Sequence, residues 1–381
     1  MQQIILGGLF ALIITFLAIP AIITIAKKKK LYDEPDGVRK FHKEPIPALG
    51  GLGIFVGFII SILLTLNFST DAPEFQYYIV SFLLIFFLGV KDDIMILSAN
   101  KKFLGQVLVA CILIFKAHLL ITNMEGIFGV YELNTFCSYS LTIFAIVVII
   151  NAFNLIDGVD GLAAGLGLIS SLIFGTIFFL NHNIPYALLS FTFAGSLIAF
   201  LYYNFYPATI FMGDAGSLMI GLVSSILVIK FIQVGSSFKD YPVTASPAVG
   251  FGILLLPLMD TLRVFTIRVI NGRSPFSPDR NHIHHLLLKR GFNHATLALT
   301  CFLSTILISI AAFAFQAIGA GMLITMQMIL FFSLVSILNY KKPKYKFKVI
   351  KGEINDFVKE GKAKLVPLFD LEDVALGEEA N

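Results

Sequence analysis

The stretch AIVVIINAFNLIDGVDGLAAG, residues 145–165, decides how the chain is read. Six branched or small apolar residues run without a break into Asn151, Asn154, Asp157 and Asp160. A greasy segment that ends in two amides and two carboxylates is a membrane helix arriving at a wet site, or a polar helix end that is merely capped and hydrated. At helical spacing the four polar residues step by three and are predicted to line one face for three turns. Gly158 and Gly161 would let a backbone or ligand come close.

Composition favours the membrane. Of 381 residues, 57% are hydrophobic and only 14% charged, with a mean hydropathy of +0.86, whereas soluble domains sit near a quarter charged. Trp is absent and Phe numbers 38, so an interfacial aromatic belt must be built from Tyr and Phe. The 3 cysteines lie far apart with no CxxC or Cys/His spacing, which excludes a disulfide framework and points to free thiols.

A spanning helix needs roughly 20 apolar residues. By that rule eleven spans are expected, near 3–26, 48–68, 76–90, 103–121, 138–153, 162–180, 185–204, 215–234, 247–270, 297–317 and 319–338. The third and fifth are short. The first is too long for a cleaved signal and lacks a basic start, so it reads as a retained helix. With the N-terminus outside, the inside segments hold 23 of the 28 Lys and Arg and the outside loops only Lys239, which sets the orientation. The expected architecture is an all-α polytopic membrane protein of about eleven transmembrane helices. A catalytic domain covers 1–338 and a cytoplasmic tail 339–381. The tail opens on KKPKYKFK, which suits anionic headgroups or a solvated extension equally.

On this topology four polar loops share the cytoplasmic face: 89–103, 151–162, 204–217 and 271–291. A carboxylate at bilayer depth costs about 2.5–3.5 kcal/mol, so Asp92, Asp93, Asp157, Asp160 and Asp214 must be paired, hydrated or bound to a cation. The adjacent Asp92 and Asp93 repel unless a cation or protons separate them. Asp214, between two glycines at a helix start, suits Mg²⁺, which takes one or two carboxylates and completes its shell with water and phosphate. SPDRNHIHH brings Asp279, Arg280, His282, His284 and His285; with hard oxygens nearby and no cysteine, Mg²⁺ with cationic phosphate grips is favoured over zinc. Arg39, Lys40, His42 and Lys43 precede GGLG. No strand leads into those glycines, so close helix packing of Gly50, Gly51, Gly53 and Gly57 replaces a dinucleotide reading. Carboxylates, a divalent cation and bases are what phosphoryl transfer requires. A proton- or ion-coupled transporter is the alternative, but its acids would sit near the midplane of matching halves.

Together these motifs resemble the polyprenyl-phosphate N-acetylhexosamine-1-phosphate transferases, the WecA/MraY-type family. They are the basic stretch with GG (39–51), DD (92–93), NxxNxxDGxDGL (151–162), GDxGS (213–217) and SPFSPDRxHxHH (274–285), in the family's order. The last loop matches the WecA-like branch rather than the branch with three consecutive histidines. The resemblance implies Mg²⁺, with Mn²⁺ as a substitute, a UDP-N-acetylhexosamine donor, by default N-acetylglucosamine, a polyprenyl phosphate acceptor in the bilayer, and no nucleic acid. A homodimer is left open. The site would face the cytoplasm from the cell (inner) membrane and serve the first membrane step of cell-envelope glycan synthesis.

It further implies metal ligation by Asp214, aided by Asp157, and a lipid-phosphate pair in Asp92 and Asp93. Asn151, Asn154, Asp157 and Asp160 would hold nucleotide and metal. Lys43, Arg280, His282, His284 and His285 would grip diphosphate and sugar. Ile46 and Ala48 depart from the family pattern in the first loop. Two mechanisms stay open. Asp92 and Asp93 position metal and acceptor for direct transfer, or one Asp is a covalent nucleophile. Asp260 and Arg263, at i, i+3, read as a pair within one helix.

Overall fold

The computed structural model describes residues 1–29, 46–67, 72–95, 97–272 and 282–340. It is helical almost throughout. In order come α1 (Gln2–Lys29), α2 (Gly50–Thr65), α3 (Phe75–Met95) and α4 (Ala99–Phe115), then a small antiparallel ribbon, β1 (Asn123–Ile127) and β2 (Val130–Glu132). There follow α5 (Thr135–Ile156), α6 (Leu162–Leu180), α7 (Ile184–Asn204) and α8 (Gly213–Val234). Last are α9 (Ser246–Ile253), α10 (Leu255–Ile270), α11 (Ile283–Leu288), α12 (His294–Ala314) and α13 (Ala320–Tyr340).

Among the described residues seven helices are long and apolar enough to cross a bilayer: α1, α5, α6, α7, α8, α12 and α13. The α9–α10 pair adds an eighth as a single broken span. The remaining expected stretches fall on α2, α3 and α4. At 16 residues α2 is about 24 Å long, short of a hydrocarbon core of about 30 Å. The structure thus upholds a multi-pass, all-α membrane protein, in which seven or eight of the eleven expected spans stand out by length and apolarity among the described residues.

The stretch 247–270, expected as one span, is two helices bent by 80°. Pro257 explains the break: its ring has no N–H to give and clashes with the carbonyl four residues back, at Ile253, where α9 ends. A second correction concerns the opening stretch. The helix α5 stops at Ile156, so only Asn151 and Asn154 share its face; Asp157 is the C-cap residue and Asp160 lies in the turn beyond. That turn closes through Gly161 at φ +75°, a left-handed conformation that glycine adopts without strain.

At the centre stands α8, apolar all round, as expected of a helix enclosed by others. Of its most apolar window 89% is buried, against 22% for α13. It packs on α2, α3, α5, α6 and α9. Small residues make these crossings tight. A Cβ on Gly51 would fall 2.2 Å from the Gly216 nitrogen, and one on Gly89 2.4 Å from the Cα of Ala215. One on Gly221 would fall 2.5 Å from the Cα of Ile150. With backbones this close, α2, α3 and α5 are locked against the first half of α8, and the residues at their ends meet.

Candidate active site

The start of α8 is where they meet. Its first free N–H groups have no helical partner and must be met from outside. Asp93, at the end of α3, supplies both acceptors: Oδ1 takes the Asp214 N–H at 2.6 Å and Oδ2 takes that of Ala215 at 3.1 Å. Gly213 sits at φ +73°, and a side chain there would strike the Ala48 carbonyl and the Asp93 carboxylate. The two glycines around Asp214 therefore serve backbone approach, independently of any metal.

Lys102, near the start of α4, ties the cluster together. Its Nζ lies 2.5 Å from Asp92 Oδ2 and 2.6 Å from Asp214 Oδ2, and 3.5 Å from Asn154 Oδ1. The other Asp92 oxygen accepts the Leu97 N–H at 2.5 Å. From α5, Asn154 donates to Asp214 Oδ1 at 2.7 Å and to Ser217 Oγ at 2.9 Å. Three helices thus converge on one α8 carboxylate. Asp157 faces the same region; loss of solvent, then the charges of Asp214, Asp93 and Asp160, push its carboxyl up to about 8. Two carboxylates, Asp92 and Asp214, thus bracket the Lys102 ammonium, and Asp93 and Asp157 lie near Asp214, an acidic field that attracts further positive charge.

Other predicted residues go elsewhere. Asn151 donates to Gln106 Oε1 at 2.7 Å and accepts from Gln106 Nε2 at 3.3 Å, an amide pair that joins α4 to α5. Asp160 is buried; it accepts the Ala208 N–H at 3.2 Å and lies 3.5 Å from His294 Nδ1, which fastens the 205–212 loop. His282 and His284 are buried, their rings parallel within 7° at 5.5 Å, and His285 lies 4.3 Å from His284. His284 packs on the α5–α6 turn: a Cβ on Gly158 would sit 2.8 Å from its Nε2. Lys43 and Arg280 lie outside the described residues, as does the tail beyond Tyr340.

The carboxylate cluster coincides with the region shared with known proteins. A family model described as Glycosyl transferase family 4 matches residues 75–232, from the start of α3 into the end of α8. The chain is similar to the undecaprenyl-phosphate alpha-N-acetylglucosaminyl 1-phosphate transferase of Yersinia pestis, 34% identical over 70% of this chain and 72% of that one. It is similar to the decaprenyl-phosphate N-acetylglucosaminephosphotransferase of Mycolicibacterium smegmatis, 34% identical over 80% of each chain. Against the Escherichia coli K12 protein of the same name as the Yersinia one, identity is 32% over 77% of each. The chain belongs to the polyprenyl-phosphate N-acetylhexosamine-1-phosphate transferase family.

Within this transferase family's motifs, the structure joins DD, NxxN and GDxGS at one point. Lys102, the residue that joins them, escaped the sequence reading. A signal existed: Lys102 and Gln106, four apart, share one face of α4, and they meet Asn154 and Asn151 in antiparallel order. Asn204, which accepts the Gly161 N–H at 3.0 Å and donates to the Ile210 carbonyl at 2.9 Å, was also missed.

The donor set suits the metal the family implies. Among the described residues no three His, Cys, Asp or Glu converge at ligand distance. Mg²⁺ asks for less, since one or two carboxylates suffice when phosphate oxygens and waters complete the shell. Asp214, with Asp92 or Asp157, offers such hard oxygens.

Proposed function

We propose that the protein transfers N-acetylhexosamine-1-phosphate, by preference from UDP-N-acetylglucosamine, to a polyprenyl phosphate. A phosphate oxygen of the acceptor bonds to the sugar-linked phosphorus of the donor. The bond from that phosphorus to the bridging oxygen breaks, and UMP leaves with the electron pair. The products are a polyprenyl-diphosphate-sugar and UMP. The excess of basic residues on loops of one side supports a site facing the cytoplasm, with the N-terminus outside. A transporter is not favoured by the family or by acids gathered at helix ends.

The observation that carries this reading is the convergence of Asp92, Asn154 and Asp214 on Lys102. Phosphoryl transfer is mostly positioning and charge stabilisation, and the main obstacle here is bringing two anions together. Bound Mg²⁺, held by Asp214 with Asp92 or Asp157, would supply charge neutralisation on the diphosphate. Lys102 holds the carboxylates in register and adds its own positive charge. The acceptor, with a second pKa of about 6, is already mostly a dianion at neutral pH, so a general base is little needed. Both Asp93 oxygens are engaged by α8, and Asp92 by Leu97 and Lys102, which supports positioning roles over a covalent aspartyl intermediate.

The test is UMP release from a panel of UDP-sugars with polyprenyl phosphate, with and without Mg²⁺. Asp214→Asn is expected to abolish release while the protein stays at wild-type level in membranes; unchanged turnover would overturn the assignment.

A further inference from the structure

We propose that Asp260 is a positioning residue that sets the tautomer and orientation of the histidine loop through His282, an inference that rests on the transferase reading for its kinetic test. Asp260 lies on α10, past the break at Leu254, and is 1% exposed. A buried carboxylate must be hydrogen-bonded or paired. It is, and to the loop: Oδ2 stands 2.8 Å from His282 Nδ1, and Oδ1 accepts the Ile283 N–H at 2.8 Å. The expected partner on its own helix, Arg263, is farther, with Nη1 at 3.9 Å.

The chemistry of this contact is directional. A carboxylate accepts, so His282 Nδ1 carries the proton, and in the neutral ring Nε2 is left as the acceptor. The second contact replaces a missing cap: His282 is the N-cap residue of α11 but makes no side-chain bond to it, and Asp260 receives the first N–H of that helix instead. The fixed ring then stacks parallel on His284, whose Nε2 rests against Gly158, one residue from Asp157. Orientation is therefore handed from α10 to the α5–α6 turn through two imidazoles.

The test uses the full-length protein in nanodiscs, with Asp260→Asn, His282→Ala and the double variant. Asparagine keeps an oxygen for Ile283 but turns an N–H₂ toward His282, which favours the other tautomer. Expected for Asp260→Asn is a fall in kcat of at least about 30-fold with KM for UDP-N-acetylglucosamine within about 3-fold, because the loss is of alignment rather than of binding. In the His282→Ala background the same change should alter kcat by less than about 3-fold, since the two residues act as one unit. Nitrogen-15 spectra of labelled histidines should show His282 as the Nδ1–H tautomer in the wild type and as Nε2–H in Asp260→Asn. Asp260→Glu, which keeps the carboxylate, should retain the Nδ1–H tautomer and recover part of the rate even if Asp260→Asn fails to accumulate. Additive losses, an unchanged tautomer in Asp260→Asn, or a Glu variant as impaired as Asn would overturn the proposal. If the wild type releases no UMP, the transferase reading falls, and the nitrogen spectra still decide the role of Asp260.

Discussion

The carboxylate of Asp93 accepts the backbone N–H of Asp214 at 2.6 Å, so one acidic residue holds the main chain of another. Because Oδ2 also takes the Ala215 N–H, removing the side chain orphans two donors at the start of the most enclosed helix. Asp93→Ala should destabilise the protein by about 1–3 kcal/mol, and Asp93→Asn, which keeps one acceptor, by less. Thermal unfolding in detergent checks the order; equal losses in both variants would show that capping is not what Asp93 contributes.

Lys102 and a divalent cation would compete for the same oxygens of Asp92 and Asp214. Lys102→Met is therefore expected to bind Mn²⁺ more tightly than the wild type when substrates are absent. Its UMP release should fall by about 100-fold or more through lost charge stabilisation. Electron paramagnetic resonance titration measures the first effect. Weaker Mn²⁺ binding in the variant would mean that the ammonium helps to build the metal site instead of sharing it.

The crossing of α3 on α8 tolerates no side chain at Gly89, where a Cβ would come 2.4 Å from the Ala215 Cα, a backbone atom that cannot turn aside. Gly89→Val should lower membrane levels and, in the protein that does fold, remove activity by displacing Asp92 and Asp93. The cost of such overpacking is typically about 1–3 kcal/mol. Gly129→Val makes a useful contrast of steric demand, for nothing lies within 4 Å of a Cβ there, although its φ of +78° carries a local strain. Normal yield and turnover in Gly89→Val would contradict the packing account.

Acid should loosen the histidine loop. Burial, then the charges of His285, His282 and His294, hold the His284 imidazole well below the usual value of about 6.5. Between the two pKa values the unfolded chain binds more protons at this position than the folded one. The stability it contributes is complete above about pH 6.5 and is lost as the pH falls below it. Hydrogen exchange at 283–288, corrected for intrinsic rates, should accelerate between pH 7 and 5. His284→Gln should flatten that dependence.

Much of this was legible in the primary structure because hydrophobic length is a strong signal and polar residues inside apolar runs are costly. DD, NxxN and GDxGS were picked out on that ground, and they meet. What could not be read was direction. A spacing of three promised one polar face from Asn151 to Asp160, but α5 ends at Ile156 and the turn sends Asp160 toward Ala208. Asn151 looked like its neighbour Asn154, yet it spends its amide on Gln106, a partner 45 residues away that no local pattern names. Lys102 was hidden beside Lys101 as an ordinary basic flank, and Asp260 was hidden by Arg263, a nearer partner in sequence but a farther one in space. The bend at Pro257 was legible in principle, since proline two residues into a helix breaks the ladder behind it.

The enclosure of α8 has a consequence for how the membrane itself acts on the enzyme. The apolar surface of α1 and α13 is left largely uncovered by the rest of the protein, whereas α8, whose first turn carries Asp214, is almost wholly enclosed. A thicker or thinner bilayer is met by tilting of the outer helices, at fractions of a kcal/mol per ångström of mismatch. The first turn of α8 is thereby expected to shift less with bilayer thickness than the ends of the outer helices do.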